Sequence, residues 1–293
     1  MNGIVLVDKP AGLTSHDVVN RWRKLADTKR AGHLGTLDPM ATGLLVLMTG
    51  TATRLAQFFE RCEKSYLAEI TFGLVSDTYD IEGEVRETGI APPASEHEIL
   101  NALSCFRGRF RQTPPAVSAK KVKGVPAYKL ARKGIAVDLQ PLEVELKDLQ
   151  ARPLAPERLE LHVTCSAGTY LRSLAHDLGE RLGCGAVLSK LRRTRSGSFS
   201  LESARSLEEL AALASAGRLA EAVIDAGHLL PEIPAEYFDL QIEAQIRQGR
   251  DFRTSPFVVK PGSPLVRALS RSGELIAIGQ LKIPNVYHPS TVL

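Results

Sequence analysis

The order of the hydrophobic segments is the feature that most constrains the fold of this 293-residue chain. Short apolar or alternating runs, which are typical of strands, occur at residues 3–7, 44–48 and 64–73. Long helical patterns do not alternate regularly with single strands, as a doubly wound parallel sheet would require. We therefore expect an α+β fold in which helices flank a mixed, largely antiparallel sheet.

Further periodic segments complete this expected architecture. Thr14 and Ser15 offer a helix N-cap, and Val18, Val19 and Trp22 then fall on one helical face. The glycine-containing stretch 31–41 has little periodicity and predicts a loop. Helices are predicted over 51–59, 95–104, 125–132, 170–182 and 207–226, and strands over 143–149, 158–165 and 186–195.

Proline-containing residues 230–234 predict a boundary between a main domain, 1–230, and a small one, 231–293. Short apolar runs at 257–259, 265–269 and 275–278 follow, separated by Gly and Pro. A tail of this length is too small to be stable as an open sheet, so we expect a closed β-barrel module.

The amino-terminal residues lack a basic segment followed by an apolar run, and therefore do not resemble a secretory signal. The strongest apolar stretch, 44–48, is far shorter than the roughly 18 residues that span a bilayer. Four cysteines could form two disulfides, but their wide spacing favours free thiols. Neither they nor the seven histidines suggest a zinc site. We expect a cytoplasmic protein without a metal.

The basic residues are clustered, although the formal net charge is only +4. Residues 107–133 contain nine Lys or Arg and no Asp or Glu. Residues 21–30 contain five basic residues and one acid, and residues 190–195 contain four basic residues and no acid. A single run of this kind is usually a solvated face, but three favour binding to a phosphate backbone.

Asp38 is the candidate reactive group of the chain. Its glycine-bounded loop lacks the G-K-[ST] ending of a phosphate-binding loop, and no G-x-G-x-x-G occurs, so no nucleotide cofactor is expected. An Asp before Pro39 is commonly a turn residue that accepts backbone N–H groups. The alternative is a reactive carboxylate, which would need a cationic partner to stay ionised near a buried strand.

Residues 31–45, AGHLGTLDPMATGLL, resemble the signature of the TruB family, the bacterial tRNA pseudouridine synthases that act on uridine 55 of the T-loop. The resemblance continues in order from about residue 3 to about residue 200. Five more segments are similar to motifs of that family: Val7-Asp8-Lys9-Pro10, Lys64-Ser65-Tyr66, Asp77-Thr78-Tyr79-Asp80, Gly168 to Leu174, and Leu191-Arg192-Arg193. The segment around Ser118-Ala119-Lys120-Lys121 resembles its RNA-gripping insertion, at about 107–140.

The resemblance implies a pseudouridine synthase fold for 1–230, a PUA-like RNA-binding module for 231–293, and no cofactor. It implies that Asp38 is the catalytic carboxylate and that Arg172 pairs with it. It implies that Tyr66 is also catalytic, stacking on a flipped-out base with its phenol near C5, where it can take part in proton transfer. His33, Tyr170 and Leu191 are the other implied substrate contacts. The implied contacts to the RNA backbone are Lys9, Lys120, Lys121, Lys123, Arg132, Arg192 and Arg193.

Three functional hypotheses follow from the sequence. The first is a monomeric enzyme that modifies the T stem-loop of tRNA without an obligate protein partner. The second is a non-catalytic RNA-binding factor, such as a tRNA-folding chaperone on the same scaffold, and one protein can do both. The third is a related synthase of a guide-RNA particle, against which the compact tail argues.

Overall fold

The computed structural model describes residues 1–92, 95–118, 120–122, 125–127 and 139–293. Up to residue 225 the strands are β1 (Gly3–Lys9), β2 (Ala31–Leu34), β3 (Thr42–Thr49), β4 (Lys64–Phe72), β5 (Leu74–Val75), β6 (Arg86–Glu87), β7 (Gly108–Gln112), β8 (Lys121–Val122), β9 (Val125–Pro126), β10 (Leu142–Ala155), β11 (Arg158–Cys165), β12 (Ala186–Ser196), β13 (Phe199–Ser200) and β14 (Val223–Asp225). The α-helices of this part are α1 (Ser15–Leu25), α2 (Glu96–Ser104), α3 (Leu171–Leu182) and α4 (Leu207–Ser215).

Ten of these strands form one mixed sheet, with the order β14-β1-β3-β12-β4-β11-β10-β7. β2 pairs with β3, and β13 pairs with β12. The pairing of β3 with β12 is parallel, whereas the other pairings are antiparallel. The expected α+β class with a largely antiparallel sheet is therefore confirmed.

Both faces of the central strands are covered, which explains their continuous apolar sequence. In β3, Leu45 and Leu47 pack into a core shared with α1 and α3. Leu44, Val46 and Met48 point to the opposite face, where a second core includes residues of the 3-10 helix Gly50–Phe58. One strand thus separates two hydrophobic layers.

Several sequence predictions of elements were wrong at identifiable points. The predicted loop 31–41 begins with strand β2, which pairs antiparallel with β3. The predicted helix 207–226 ends at Ser215, because Gly217 takes a left-handed φ of 69° and the chain then returns to pair β14 with β1. Of the helix predicted over 125–132, Val125–Pro126 form a strand, Ala127 is helical, and the residues from 128 lie outside the described part.

The carboxyl-terminal part builds a second sheet, in the order β15-β17-β18-β19-β16. Its elements are β15 (Ala235–Phe238), α5 (Leu240–Arg247), β16 (Phe252–Arg253), β17 (Leu265–Ser270), β18 (Leu275–Ile283) and β19 (Val286–Val292). The sheet is a curled half-barrel consistent with a PUA-like module, rather than the closed barrel expected. The predicted strand 257–259 is a turn. Leu269, Leu275 and Ile278 join the second core of the main sheet.

Three further observations concern the cysteines, metal sites and membrane-spanning helices. The four cysteines are free thiols, with Cys165 and Cys184 buried. Within the described residues, no cluster of three or more His, Cys, Asp or Glu side chains could hold a metal ion. No helix in the described part of the chain is long and apolar enough to span a membrane.

Candidate active site

Asp38 lies in the loop between β2 and β3, and buried polar side chains hold this loop on both sides of it. The Oγ of Ser15, at the start of α1, donates to the Leu37 carbonyl at 3.0 Å and accepts from the Leu37 N–H at 2.8 Å. The Nζ of Lys9 donates to the Pro39 carbonyl at 3.1 Å. The backbone on each side of Asp38 is therefore fixed to a secondary-structure element.

Arg172, in the first turn of α3, is brought against the Asp38 carboxylate. Its Nε lies 3.0 Å from Oδ2, and its Nη2 donates to Oδ1 at 3.3 Å. The Arg172 side chain is 6% exposed and that of Asp38 is 35% exposed, so the carboxylate faces open space while its partner does not. This arrangement suits a carboxylate that must stay charged and still meet a substrate.

Asp80 is a second carboxylate on the same guanidinium, and the sequence analysis did not select it as a site residue. Its Oδ2 lies 3.4 Å from Nη1 of Arg172, and its side chain is 5% exposed. Thr78 donates to Asp80 through Oγ1 at 2.6 Å, and its carbonyl accepts from Arg172 Nη1 at 3.1 Å. The motif Asp77-Thr78-Tyr79-Asp80 is the sequence signal that could have identified Asp80. A carboxylate that is buried when the motif folds requires a cationic partner, and Arg172 is that partner.

The turn that carries Asp80 is held in a strained conformation. Tyr79 has a left-handed φ of 65°, which is uncommon for a bulky residue. Its ring stacks on that of His176 in α3, with the ring centroids 3.9 Å apart and the planes 5° from parallel. Strand β12 also holds the turn, since the Leu188 N–H donates to the Tyr79 carbonyl at 3.0 Å.

The charge of Asp38 reflects opposing effects. Burial raises the pKa of the Asp38 carboxyl above its ordinary value. The Arg172 guanidinium opposes that rise, the Asp80 carboxylate adds to it, and the Lys9 ammonium lowers the pKa again. The two cations are therefore the groups that favour the ionised form of Asp38.

A cavity of about 270 Å³ opens beside Asp38 and Arg172. Tyr66, Tyr170 and Leu191, three of the substrate contacts implied by the sequence, line this cavity. The Tyr66 ring is buried on β4, and burial raises the pKa of its phenol despite the Arg193 guanidinium beside it. The cavity therefore combines a carboxylate with an aromatic and an aliphatic wall, and such walls suit a nucleobase.

His33 is the implied substrate contact that does not line this cavity. It lies on β2, paired with Leu47, and its buried Nδ1 has no hydrogen-bond partner among the residues that the structure describes. Burial and the nearby Arg193 guanidinium lower the pKa of its imidazole. A neutral ring is favoured there.

Lys9 and Arg193 are not available to phosphates in this structure, contrary to the sequence prediction. The Lys9 ammonium is fully buried and donates to the carbonyls of Pro10 at 2.9 Å, Leu13 at 2.6 Å and Pro39 at 3.1 Å. Arg193 is also fully buried, with Nε 2.7 Å from the Leu44 carbonyl and Nη2 3.1 Å from that of Gly35. Both cations stabilise the backbone around Asp38.

The other residues expected to contact an RNA backbone differ in what they contact. Arg192 is partly exposed and forms a two-point ion pair with Asp8, at 3.1 and 2.7 Å. Lys120 donates to the Gln140 carbonyl at 3.3 Å. Lys123, Arg132 and the side chain of Lys121 lie outside the described residues.

The chain matches two family models. Residues 23–171 match the amino-terminal domain of the TruB family pseudouridylate synthases, and residues 172–231 match the carboxyl-terminal domain of tRNA pseudouridylate synthase B. The tRNA pseudouridine synthase B of Solibacter usitatus is 50% identical over 293 residues, which cover 100% of both chains. That of Geobacter sulfurreducens is 42% identical over 249 residues, covering 85% of this chain and 82% of its own.

Solved structures agree in fold. A Cbf5–Nop10–Gar1 complex contains a chain with a TM-score of 0.70 and 26% identity, covering 97% of this chain and 79% of that one. An H/ACA RNP bound to a substrate RNA containing 2′-deoxyuridine gives a TM-score of 0.70 at 24% identity, covering 99% and 84%. The two family models and the two tRNA pseudouridine synthases B show that the chain belongs to the TruB family of pseudouridine synthases.

Proposed function

We propose that this chain converts uridine 55 in the T-loop of tRNA to pseudouridine, with Asp38 as the reacting carboxylate and without a cofactor. The relatives named above are tRNA pseudouridine synthases B, which supports tRNA as the substrate. The observation that carries the proposal is the Asp38–Arg172 pair, with Nε 3.0 Å from Oδ2, at the wall of a cavity lined by Tyr66 and Leu191.

The reaction breaks the N1–C1′ glycosidic bond, rotates the base and joins it again through C5. No electrons are gained or lost overall and no group is donated, so a carboxylate and a closed site meet its requirements. Three first steps use an ionised carboxylate: attack at C1′, attack at C6, or removal of a proton from the sugar. In each of them Arg172 stabilises the charge of Asp38 before the step. After either attack it also stabilises the carboxylate oxygen as that oxygen leaves again, and after removal of a sugar proton it stabilises the carboxylate that forms when Asp38 returns the proton.

Uridine in a folded T-loop is stacked, so it must be extruded before it can reach Asp38, at a cost of about a few kcal/mol. Tyr66 supplies a face on which the extruded base can stack, and Leu191 an apolar contact. Arg109 and Arg111 are exposed on β7 and Arg107 is exposed directly before it, at the start of the insertion. Their contacts to phosphates would offset the cost of extrusion.

We assign the chemistry to residues 1–230 and an auxiliary RNA contact to residues 231–293. In the second segment, Arg250, Arg253 and Lys260 are exposed, and the Phe257 ring is 98% exposed. Cationic side chains beside an exposed ring suit a phosphate backbone with a stacked base.

The proposal is tested with an unmodified tRNA transcript that carries tritium at C5 of its uridines. Wild-type protein is expected to release one equivalent of tritium per tRNA, and none from a transcript with cytidine at position 55. Asp38→Asn is expected to bind tRNA without release, whereas the exposed Asp148→Asn serves as the matched control and behaves like wild type. Turnover by Asp38→Asn would contradict the assignment of Asp38 as the reacting carboxylate. Binding without turnover by the wild type would favour a tRNA-folding chaperone.

The insertion is tested separately through its lysines. Neutralising Lys120, Lys121 and Lys123 together is expected to weaken tRNA binding and to reduce the slope of log Kd against log salt, because each phosphate contact contributes about 0.7 to 0.9 to that slope. An unchanged slope would exclude this segment from the interface.

A further inference from the structure

Gln112 is the last residue of β7, where the insertion begins, and its side chain is buried. Its Oε1 accepts from the Tyr170 N–H at 2.8 Å, and its Nε2 donates to the Tyr170 carbonyl at 3.0 Å. One side-chain amide therefore satisfies the backbone donor and acceptor of a single residue, in the manner of a neighbouring strand.

Tyr170 is the N-cap of α3, the helix that carries Arg172. Its side chain makes no capping hydrogen bond, so the usual means of fixing a helix start is not used here. Its carbonyl also accepts the first helical hydrogen bond, from the Leu174 N–H at 3.1 Å. The position of the first turn of α3 relative to the sheet consequently depends on Gln112.

The segment that follows Gln112 contacts the same helical turn twice more. Ser173, which is buried, donates through Oγ to the Thr113 carbonyl at 2.8 Å. Arg172 itself donates through Nη2 to the Val117 carbonyl at 2.9 Å. Residues 112–117 thus hold the first turn of α3 from outside the helix, and the guanidinium that meets Asp38 is part of that contact.

We propose that Gln112 is a positioning residue for the reaction: its amide fixes the first turn of α3 so that Arg172 meets Asp38 and Asp80 at once. This inference rests on the proposed roles of Asp38 and Arg172. A displacement of about 1 Å at a reacting group can lower a rate about a hundredfold, which makes the position of this turn matter for the chemistry.

The experiment compares Gln112→Leu, which removes both hydrogen bonds, with Gln112→Glu, which keeps an acceptor for the Tyr170 N–H. The matched control is Gln57→Leu, because Gln57 donates to Thr291 Oγ1 at 3.1 Å, in the contact with the second sheet. For each variant, tRNA affinity, the single-turnover rate of tritium release and the thermal midpoint are measured.

Gln112→Leu is expected to keep the tRNA Kd of wild type and to lose between about tenfold and about a hundredfold in single-turnover rate. Gln112→Glu is expected to retain an intermediate rate, and Gln57→Leu the wild-type rate. The acid limb of the rate profile is also expected to move to higher pH in Gln112→Leu. Arg172, Asp80 and Lys9 face Asp38, and a displaced Arg172 would lower the pKa of Asp38 less.

A Gln112→Leu variant with the wild-type rate, or one that loses tRNA affinity but keeps its rate once bound, would overturn the inference. If Gln112→Leu does not fold, Gln112→Glu must still lose rate without losing affinity, and Ser173→Ala, which removes the neighbouring contact of the same helical turn with Thr113, must show the same separation of rate from affinity. Absence of tritium release by the wild type would instead contradict the proposed function, so the two failures are distinguishable.

Discussion

The Nζ of Lys9 lies 3.1 Å from the carbonyl oxygen of Pro39, the residue that follows Asp38. The same ammonium donates to the Pro10 and Leu13 carbonyls, so its three protons are all used within the protein. Burial lowers the pKa of Lys9 from 10.5 to about 8, although the negative charges of Glu82 and Asp38 act to raise it. In this structure Lys9 therefore holds the Asp38 loop, and we expect no contact between its ammonium and a phosphate of the substrate.

Replacing Lys9 with Met tests this role. The variant should release tritium more slowly by between about tenfold and about a hundredfold, because the loop that presents Asp38 loses its anchor at Pro39. The slope of log Kd against log salt for tRNA should stay that of wild type, since no phosphate contact is removed. A reduced slope would show that Lys9 reaches the RNA after all.

The neighbours Arg192 and Arg193 provide a matched pair on one strand. Arg193 is fully buried on backbone carbonyls, so Arg193→Gln should lower the free energy of unfolding by about 3 kcal/mol. Arg192 is partly exposed and pairs with Asp8, so Arg192→Gln should cost less than about 1 kcal/mol. Urea titrations of the two variants measure the difference, and equal losses would contradict the separation of roles.

The sequence predicted which side chains share the cavity better than it predicted the burial of the cations around them. Tyr66, Tyr170, Leu191 and Arg172 line one cavity with Asp38, as the ordered motifs implied. The resemblance implies RNA contacts for Lys9 and Arg193, and a sequence alone does not distinguish a buried cation from an exposed one. Only the topology, which brings the carbonyls of Pro39 and Gly35 to their side chains, separates the two cases.

Elements with strong periodicity were also predicted well, and those set by tertiary contacts were not. The alternation in β4 identifies a strand because one face, from Tyr66 to Phe72, is buried. β14 has only three residues, and it forms because it pairs with β1, which is far from it in the sequence. Helix α5 has a weakly apolar face, with Ile246 as its one fully buried side chain, and so gave no clear periodic signal.

The pH dependence of the single-turnover rate should have two limbs with different origins. Asp38 has a raised pKa, so the rate should fall with decreasing pH through a value above the ordinary 3.8, as the carboxylate takes up a proton. Lys9 has a pKa of about 8, so the rate should fall again above that pH, where its neutral amine can no longer donate to three carbonyls.

Lys9→Met separates the two limbs. The alkaline limb should disappear from its profile, because the titrating group is gone. The acid limb should move to higher pH, because the Lys9 charge lowers the pKa of Asp38 in the wild type. An alkaline limb that persists in this variant would assign that titration to another group.

Gly43 makes possible the parallel junction of β3 and β12, where it pairs with Arg193. It has a left-handed φ of 94°, and a Cβ there would lie 2.9 Å from the Arg193 nitrogen and even closer to the Arg193 carbonyl oxygen. Gly89 has a comparable φ of 71° but no atom within 4 Å of such a Cβ.

Alanine at each glycine should separate close approach from backbone conformation. Gly89→Ala should cost about 1 kcal/mol, for a left-handed residue alone. Gly43→Ala should cost about 3 kcal/mol or more, because the two strands must also separate where Gly43 meets the Arg193 backbone, and Arg193 carries the buried guanidinium that holds the Asp38 loop. Its single-turnover rate should fall at tRNA saturation, while that of Gly89→Ala should not. Equal losses of stability in urea unfolding would show that the junction is loose enough to admit a methyl group. They would also show that the position of Arg193 does not depend on close packing at Gly43.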